Sequence, residues 1–170
     1  MNKTETMAVV GLALLASLAG CSKKTNTTEI NVGLTSTSSS YEAVNVQIKE
    51  VWIKVTKENT GWFFLKTEAN ALDLNTLSTG VESILAKGSI PISEIREVRF
   101  ILGNSNTLVK QGVSYPLAIA SALEGNAISL RIQRPLNKEN EKVIFSMDVK
   151  ASISNPSNNE YVLNPVIRLK

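Results

Sequence analysis

The 170-residue chain has no histidine and a single cysteine. Without imidazole, neither Ser-His-Asp nor Cys-His catalysis can be assembled, and the commonest zinc ligand sets are gone as well. One cysteine cannot close an internal disulfide, so the fold must hold by packing alone. Charge of one sign is also scarce: 18 Lys and Arg against 15 Asp and Glu leave a net +3, too small and too dispersed for a nucleic-acid-binding protein. Removing the first twenty residues takes away Lys3 and Glu5, which leaves that balance unchanged. There is no internal repeat, and the length suits one domain with one substantial core.

Long apolar runs are absent except near the start, where "MAVVGLALLASLAG" is too short to span a bilayer comfortably and reads as the core of a signal peptide over residues 1–20. Leu18-Ala19-Gly20-Cys21 resembles the lipobox of bacterial lipoproteins. A thiol is the best nucleophile on offer for taking up a diacylglyceryl group, and the small residues before it let a peptidase reach the backbone. The resemblance implies cleavage before Cys21 and acylation there, so that the membrane is the first partner. Each buried methylene contributes about 0.8 kcal/mol, and several acyl chains hold firmly where one does not. Residues 21–29 follow as a polar tether without apolar periodicity, and residues 30–170 form the folded domain. Ser22 is not the aspartate that retains some lipoproteins in the inner membrane, which favours the outer membrane of the cell envelope, on either its periplasmic or its surface face.

From Ile30 onward, β-branched segments alternate with Gly, Asn, Ser and Pro clusters, the pattern of short strands. In "AVNVQIKEVWIKVT" the apolar phase switches between Val44, Val46, Ile48 and Val51, Ile53, Val55, which predicts a β-bulge near Lys49-Glu50. "KENTG" reads as a hairpin loop placing Val55 opposite Phe63 and Ile53 opposite Leu65. Helical spacing occurs at Val81, Ile84 and Leu85, with Ser78 or Thr79 as cap and Gly88 as stop. Further strands are expected in "REVRFILG", in a hairpin turning at Gln111-Gly112, and in "NAISLRIQR", "KVIFSMDVKASI" and "EYVLNPVIRLK". Seven or more strands at this spacing predict an all-β, antiparallel two-sheet sandwich with one short helix.

The order of "YEAVNVQIKEVWIKV", "GW", "LDLNTL", "REVRFILGNSNTLV", "SYPLAI", "FSMDVKASI" and "YVLNPVIRL" resembles the bacterial lipoprotein family known as domain of unknown function 4382. The resemblance spans nearly all of Ile30 to Leu169 and implies an immunoglobulin-like or transthyretin-like sandwich on a lipid anchor, with little implied about activity. Family members commonly carry Thr-Asp-Ala-Pro after the first strand, whereas this chain has Thr35-Ser36-Thr37-Ser38 and no acid. A cation site relying on that acid is not expected here. Asp148 matches the family's later acidic position, but one carboxylate is far short of the six to eight oxygens around calcium.

Three constellations are candidates for function. With Ile53 and Val55 inward, Trp52 points outward and Trp62 and Phe64 share its side, so the three could stack on sugar rings. The competing reading has a second layer, such as the Val81 to Leu85 helix, covering them. The acids Asp73, Asp148, Glu42 and Glu160 could serve glycoside hydrolysis if paired, but no local pattern surrounds them. Arg96, Arg99, Arg131, Arg134 and Arg168 could bind an anionic ligand or form the solvated side of a sheet. No cofactor or metal is implied. The expected function is a non-enzymatic, lipid-anchored module that binds an envelope protein or a glycan; the alternative is a pilus-like subunit assembling by strand exchange. Replacing Cys21→Ser should move the protein from the membrane to the soluble fraction. An unmodified thiol on the processed wild-type chain, seen by mass spectrometry in lipidation-competent cells, would contradict the anchor.

Overall fold

A computed structural model describes residues 26–56, 61–68, 71–78 and 80–170. The expected signal peptide, Cys21, the first part of the tether, hairpin-loop residues 57–60 and the candidate cap Thr79 lie outside the described residues. The strands are β1 (Thr27–Ser36), β2 (Ala43–Val46), β3 (Ile48–Val55), β4 (Trp62–Thr67), β5 (Leu72–Asp73), β6 (Ser83–Pro91) and β7 (Glu94–Leu102). They continue as β8 (Thr107–Lys110), β9 (Val113–Ile119), β10 (Ala127–Pro135), β11 (Asn140–Met147), β12 (Ile153–Ser157), β13 (Glu160–Leu163) and β14 (Ile167–Leu169). A single α-helical turn, α1 (Val149–Ser152), and 3-10 turns at Leu74–Leu77 and Glu124–Asn126 join them.

The strands form two sheets, one of eight in the order β10-β7-β3-β4-β6-β1-β11-β14 and one of six in the order β12-β13-β9-β8-β2-β5. The all-β, two-sheet expectation holds, but the pairing is not purely antiparallel. β1 runs parallel to β11 from Glu29 opposite Asn140 to Ser36 opposite Met147, and β13 runs parallel to β9. Alternation in sequence specifies a strand's faces and not the direction of its neighbour, which is why the parallel pairs escape a sequence reading.

The larger sheet curls towards a barrel. Phe100 on β7 and Phe145 on β11 stand several strands apart in it, yet their rings meet edge to face at 5.3 Å and 86°. The outermost strands β10 and β14 also approach each other. Inside the curl, Ile30, Val32, Leu34, Val51, Ile53 and Leu65 are fully buried. On the outside, Gly33 sits between Ile144 of β11 and Ile84 of β6, and a Cβ there would come within 2.5 Å of the Ile144 side chain. The flanking isoleucines fill the space that the glycine leaves.

Local features follow the sequence where backbone alternation decides and depart from it where long-range pairing decides. The bulge expected near Lys49-Glu50 is present as a register shift between Ile48 and Glu50. The Gln111-Gly112 turn takes positive φ at both residues, 53° and 71°, as a tight hairpin turn requires. Across the β3–β4 hairpin, Ile53 faces Phe63 and Val51 faces Leu65, two residues from the expected register. A shift of two preserves every side chain's face.

No helix spans Val81 to Leu85: Ser83–Pro91 is strand β6, paired with β1 and β4, and Val81 is 51% exposed. The three residues whose spacing suggests a helix do not share a face: Val81 is exposed, Ile84 lies opposite outward Gly33, and a bulge opposite Val32 and Gly33 leaves Leu85 buried beside Ala86. Gly88 is an interior strand residue whose missing Cβ leaves room for Leu65, 2.8 Å from where that atom would be. The helix that does form, α1, interrupts the strand expected through "KVIFSMDVKASI". The folded region also begins earlier than residue 30, because Thr28 is buried in β1 and donates to the Lys138 carbonyl at 2.5 Å. At the other end, "YVLNPVIRLK" divides around Pro165 into β13 of one sheet and β14 on the edge of the other.

Because Phe100 and Phe145 bridge the curl, Phe100→Ala should cost about 3–5 kcal/mol. Urea unfolding measures this, and a loss below 1 kcal/mol would show that the contact does not bear on the curl.

Candidate functional site

The outer face of β4-β3-β7-β10 carries the aromatic residues picked out in the sequence. Inward positions Val51, Ile53, Val55, Val98 and Phe100 are buried, so alternation directs Trp52, Lys54, Glu97 and Arg99 outward. Register then assembles two rows: Phe64, Trp52, Arg99 and Ser129 lie side by side, and beside them Trp62, Lys54, Glu97 and Arg131.

Phe64 is 53% exposed, and Trp52 leans on it with ring centroids 5.2 Å apart at 59°. The Trp52 indole N–H donates to Glu50 Oε2 at 2.8 Å, which fixes its tilt. Trp62 reaches across β3: Arg99, two strands away, places its guanidinium 4.1 Å from the Trp62 ring centroid, and Lys54 Nζ lies 5.8 Å from the same point. These are cation–π distances. Arg99 is further held by a hydrogen bond from Nε to Ser129 Oγ at 3.0 Å and by Glu97 Oε1 at 3.7 Å. Trp52, Trp62 and Arg99 enclose a cleft of about 180 Å³. The covering helix expected over these aromatics is absent; Trp52 and Phe64 pack on each other and Trp62 lies against Lys54 and Arg99. Arg99 was visible in the sequence as an outward residue of "REVRFILG"; its place against Trp62 was not, since that depends on the pairing of β3 with β7.

The other candidate residues go elsewhere. Arg134 approaches Glu141 at 3.7 Å, and Arg168 approaches Asp148 at 3.6 Å. Asp73 Oδ1 accepts from the backbone N–H of Val44 at 3.1 Å and of Asn75 at 3.0 Å, capping the Leu74–Leu77 turn. Asp148 caps α1 through Ala151 N at 3.0 Å, while Glu42 accepts from Gly112 N at 3.1 Å across the β8–β9 turn. Glu160 lies exposed at the start of β13. The four acids therefore sit at separate places, three of them engaged with backbone donors.

The acid-free segment Thr35–Ser38, which ends β1 and continues past it, is used structurally. The buried hydroxyls of Thr35 and Ser36 donate to the carbonyls of Leu77 and Leu74, the former at 2.9 Å, and Thr37 Oγ1 accepts from Val149 N at 3.1 Å. Among the described residues, no group of three or more His, Cys, Asp or Glu could hold a metal ion. Elsewhere, Glu82, just ahead of β6, accepts a hydrogen bond from Lys142 at 2.5 Å and lies 3.5 Å from Lys170; that bond and these charges hold its carboxyl below the usual carboxylate range. A depressed carboxyl stabilises above its ordinary titration range, and the contribution is lost as pH falls through the depressed value. Contact with solvent keeps it small.

Fold and face together define an all-β, two-sheet domain with an open aromatic and cationic ladder on one side. The chain belongs to the family described as Domain of unknown function (DUF4382), whose match covers residues 27–165, from the first residue of β1 to the proline ahead of β14. No curated protein and no solved structure matches it. Among the described residues, no helix is long and apolar enough to cross a membrane.

Asp73→Ala removes the acceptor of two backbone donors and should lower stability by about 1–2 kcal/mol. An unchanged urea midpoint would show that the cap does not support the junction of β2 with the 3-10 turn.

Proposed function

We propose that this chain is a non-enzymatic recognition module of the bacterial cell envelope, held to a membrane by lipid on Cys21, that binds carbohydrate through the outer face of β3, β4, β7 and β10. The observation that carries this reading is the exposed Phe64 ring packed on half-buried Trp52, beside half-buried Trp62 and Arg99. A pyranose ring presents an apolar, C–H-rich face that packs on such rings, while its hydroxyls meet the Arg99 fork and the Glu97 carboxylate at the margin. Aromatic side chains suit this dual contact because they offer large apolar area with little rotamer freedom to lose.

A non-enzymatic role fits the engagement of Asp73, Asp148 and Glu42 with backbone N–H groups, away from one another. Within the same reading the two sheets make a sandwich of the immunoglobulin-like or transthyretin-like kind, its larger layer curled. The lipid on Cys21 would confine the domain to a surface and raise its effective concentration for neighbouring glycans.

Titration with a panel of oligosaccharides, followed by tryptophan fluorescence, tests the proposal. Saccharides of at least one composition should shift the emission, and Trp52→Ala and Phe64→Ala should weaken that binding about tenfold or more while leaving the thermal midpoint in place. No shift with any saccharide, neutral or acidic, would overturn it.

A further inference from the structure

Beside the Trp52–Trp62–Arg99 cleft runs a groove of about 670 Å³ lined by Lys54, Arg96, Glu97, Arg131, Ile132 and Gln133. The two share a wall, since Lys54 lines the groove and also lies over Trp62. We propose that the groove selects acidic glycans, chains of pyranose units carrying carboxylate or sulfate, with a ring on the aromatic row and the anionic substituent among Lys54, Arg96 and Arg131. This rests on the carbohydrate reading of the same face.

The groove is made by two irregularities in neighbouring strands. Glu97 pairs with Lys54 and Ile95 with Val55, so Arg96 is an extra residue of β7 relative to β3. Arg131 pairs with Glu97 and Arg134 with Ile95, so Ile132 and Gln133 of β10 occupy the span that Arg96 alone fills in β7. Bulges re-aim side chains. Here the first puts Arg96 and Glu97 consecutively on the outside, whereas strict alternation would bury one of them.

The charges facing the groove are unbalanced. Its lining has three cations and one carboxylate, and that carboxylate, Glu97, already faces Arg99 at 3.7 Å. Glu94 lies 3.7 Å from Arg96, and Glu50 accepts from the Trp52 indole. Lys54 and Arg131 make no ion pair among the described residues. Arg131 is exposed, so its guanidinium can turn to a planar anion, which it can bind through two parallel N–H donors. A neutral saccharide would leave this potential unused.

Isothermal titration with three tetrasaccharides tests the idea: a neutral cello-oligosaccharide, an oligogalacturonate and a sulfated chondroitin fragment. At least one acidic ligand should bind about tenfold or more tightly than the neutral one, and comparison of the two acidic arms distinguishes carboxylate from sulfate. The acidic preference should collapse at 1 M salt, where the screening length is about 3 Å. Arg131→Gln should weaken acidic binding about tenfold without changing neutral binding or the thermal midpoint. Equal affinity for neutral and acidic tetrasaccharides, with dependence on Trp52 retained, would overturn the acidic preference and leave carbohydrate recognition standing. Absence of all saccharide binding would overturn both. Tighter binding of a single-stranded DNA oligomer than of either acidic glycan would also overturn the proposal, since stacked aromatics beside cations suit bases as well.

Discussion

The edge-to-face contact of Phe100 with Phe145 is the interaction on which the larger sheet's shape depends. An open eight-stranded sheet would leave one of its apolar faces needing a cover of matching size. Curling lets that face serve as its own cover, and the two phenylalanines are where opposite walls meet. The parallel pairing of β1 with β11 supports the same closure, because it brings Phe145 and Val143 into register with Leu34 and Val32. The six-stranded sheet is smaller and joins through short-range devices: β2 runs almost directly into β3, and Thr35 and Ser36 bond the carbonyls of the Leu74–Leu77 turn.

Once the inside is filled, what alternates outward along β3, β4, β7 and β10 has to live on a convex surface. Most sheets place isolated polar side chains there. Here the outer positions carry two indoles, a phenyl ring and a set of guanidinium and ammonium groups, and they shield one another. Trp62 lying over β3 covers part of what Lys54 and Arg99 would otherwise present to water, and those cations cover much of the indole. The face is thus neither a plain solvated surface nor a dry interface, and its mixed character comes from register rather than from any single residue.

Much of this was legible along the chain and some was not, for a consistent reason. The phase switch between Val44, Val46, Ile48 and Val51, Ile53, Val55 announces its bulge because each phase is long enough to read. The outward placement of Trp52, Trp62 and Phe64 follows from the same parity, and it survives a two-residue error in the hairpin register. Val81, Ile84 and Leu85 show the opposite case: their spacing resembles a helix, yet in β6 a bulge buries Leu85 beside Ala86 while Ile84 lies on the other side and Val81 is exposed. Partners remote in sequence left no local trace: neither the parallel neighbours of β1 and β9 nor the meeting of Trp62 with Arg99 can be inferred from alternation, since period two specifies a side and not a companion.

Arg99 is gripped by an indole, a carboxylate and a serine hydroxyl before anything approaches it. A long cationic side chain ordinarily gives up much of its rotational freedom when it takes hold of a guest. In this molecule that loss was incurred during folding, so a visitor finds a stationary fork where a swinging arm would otherwise be.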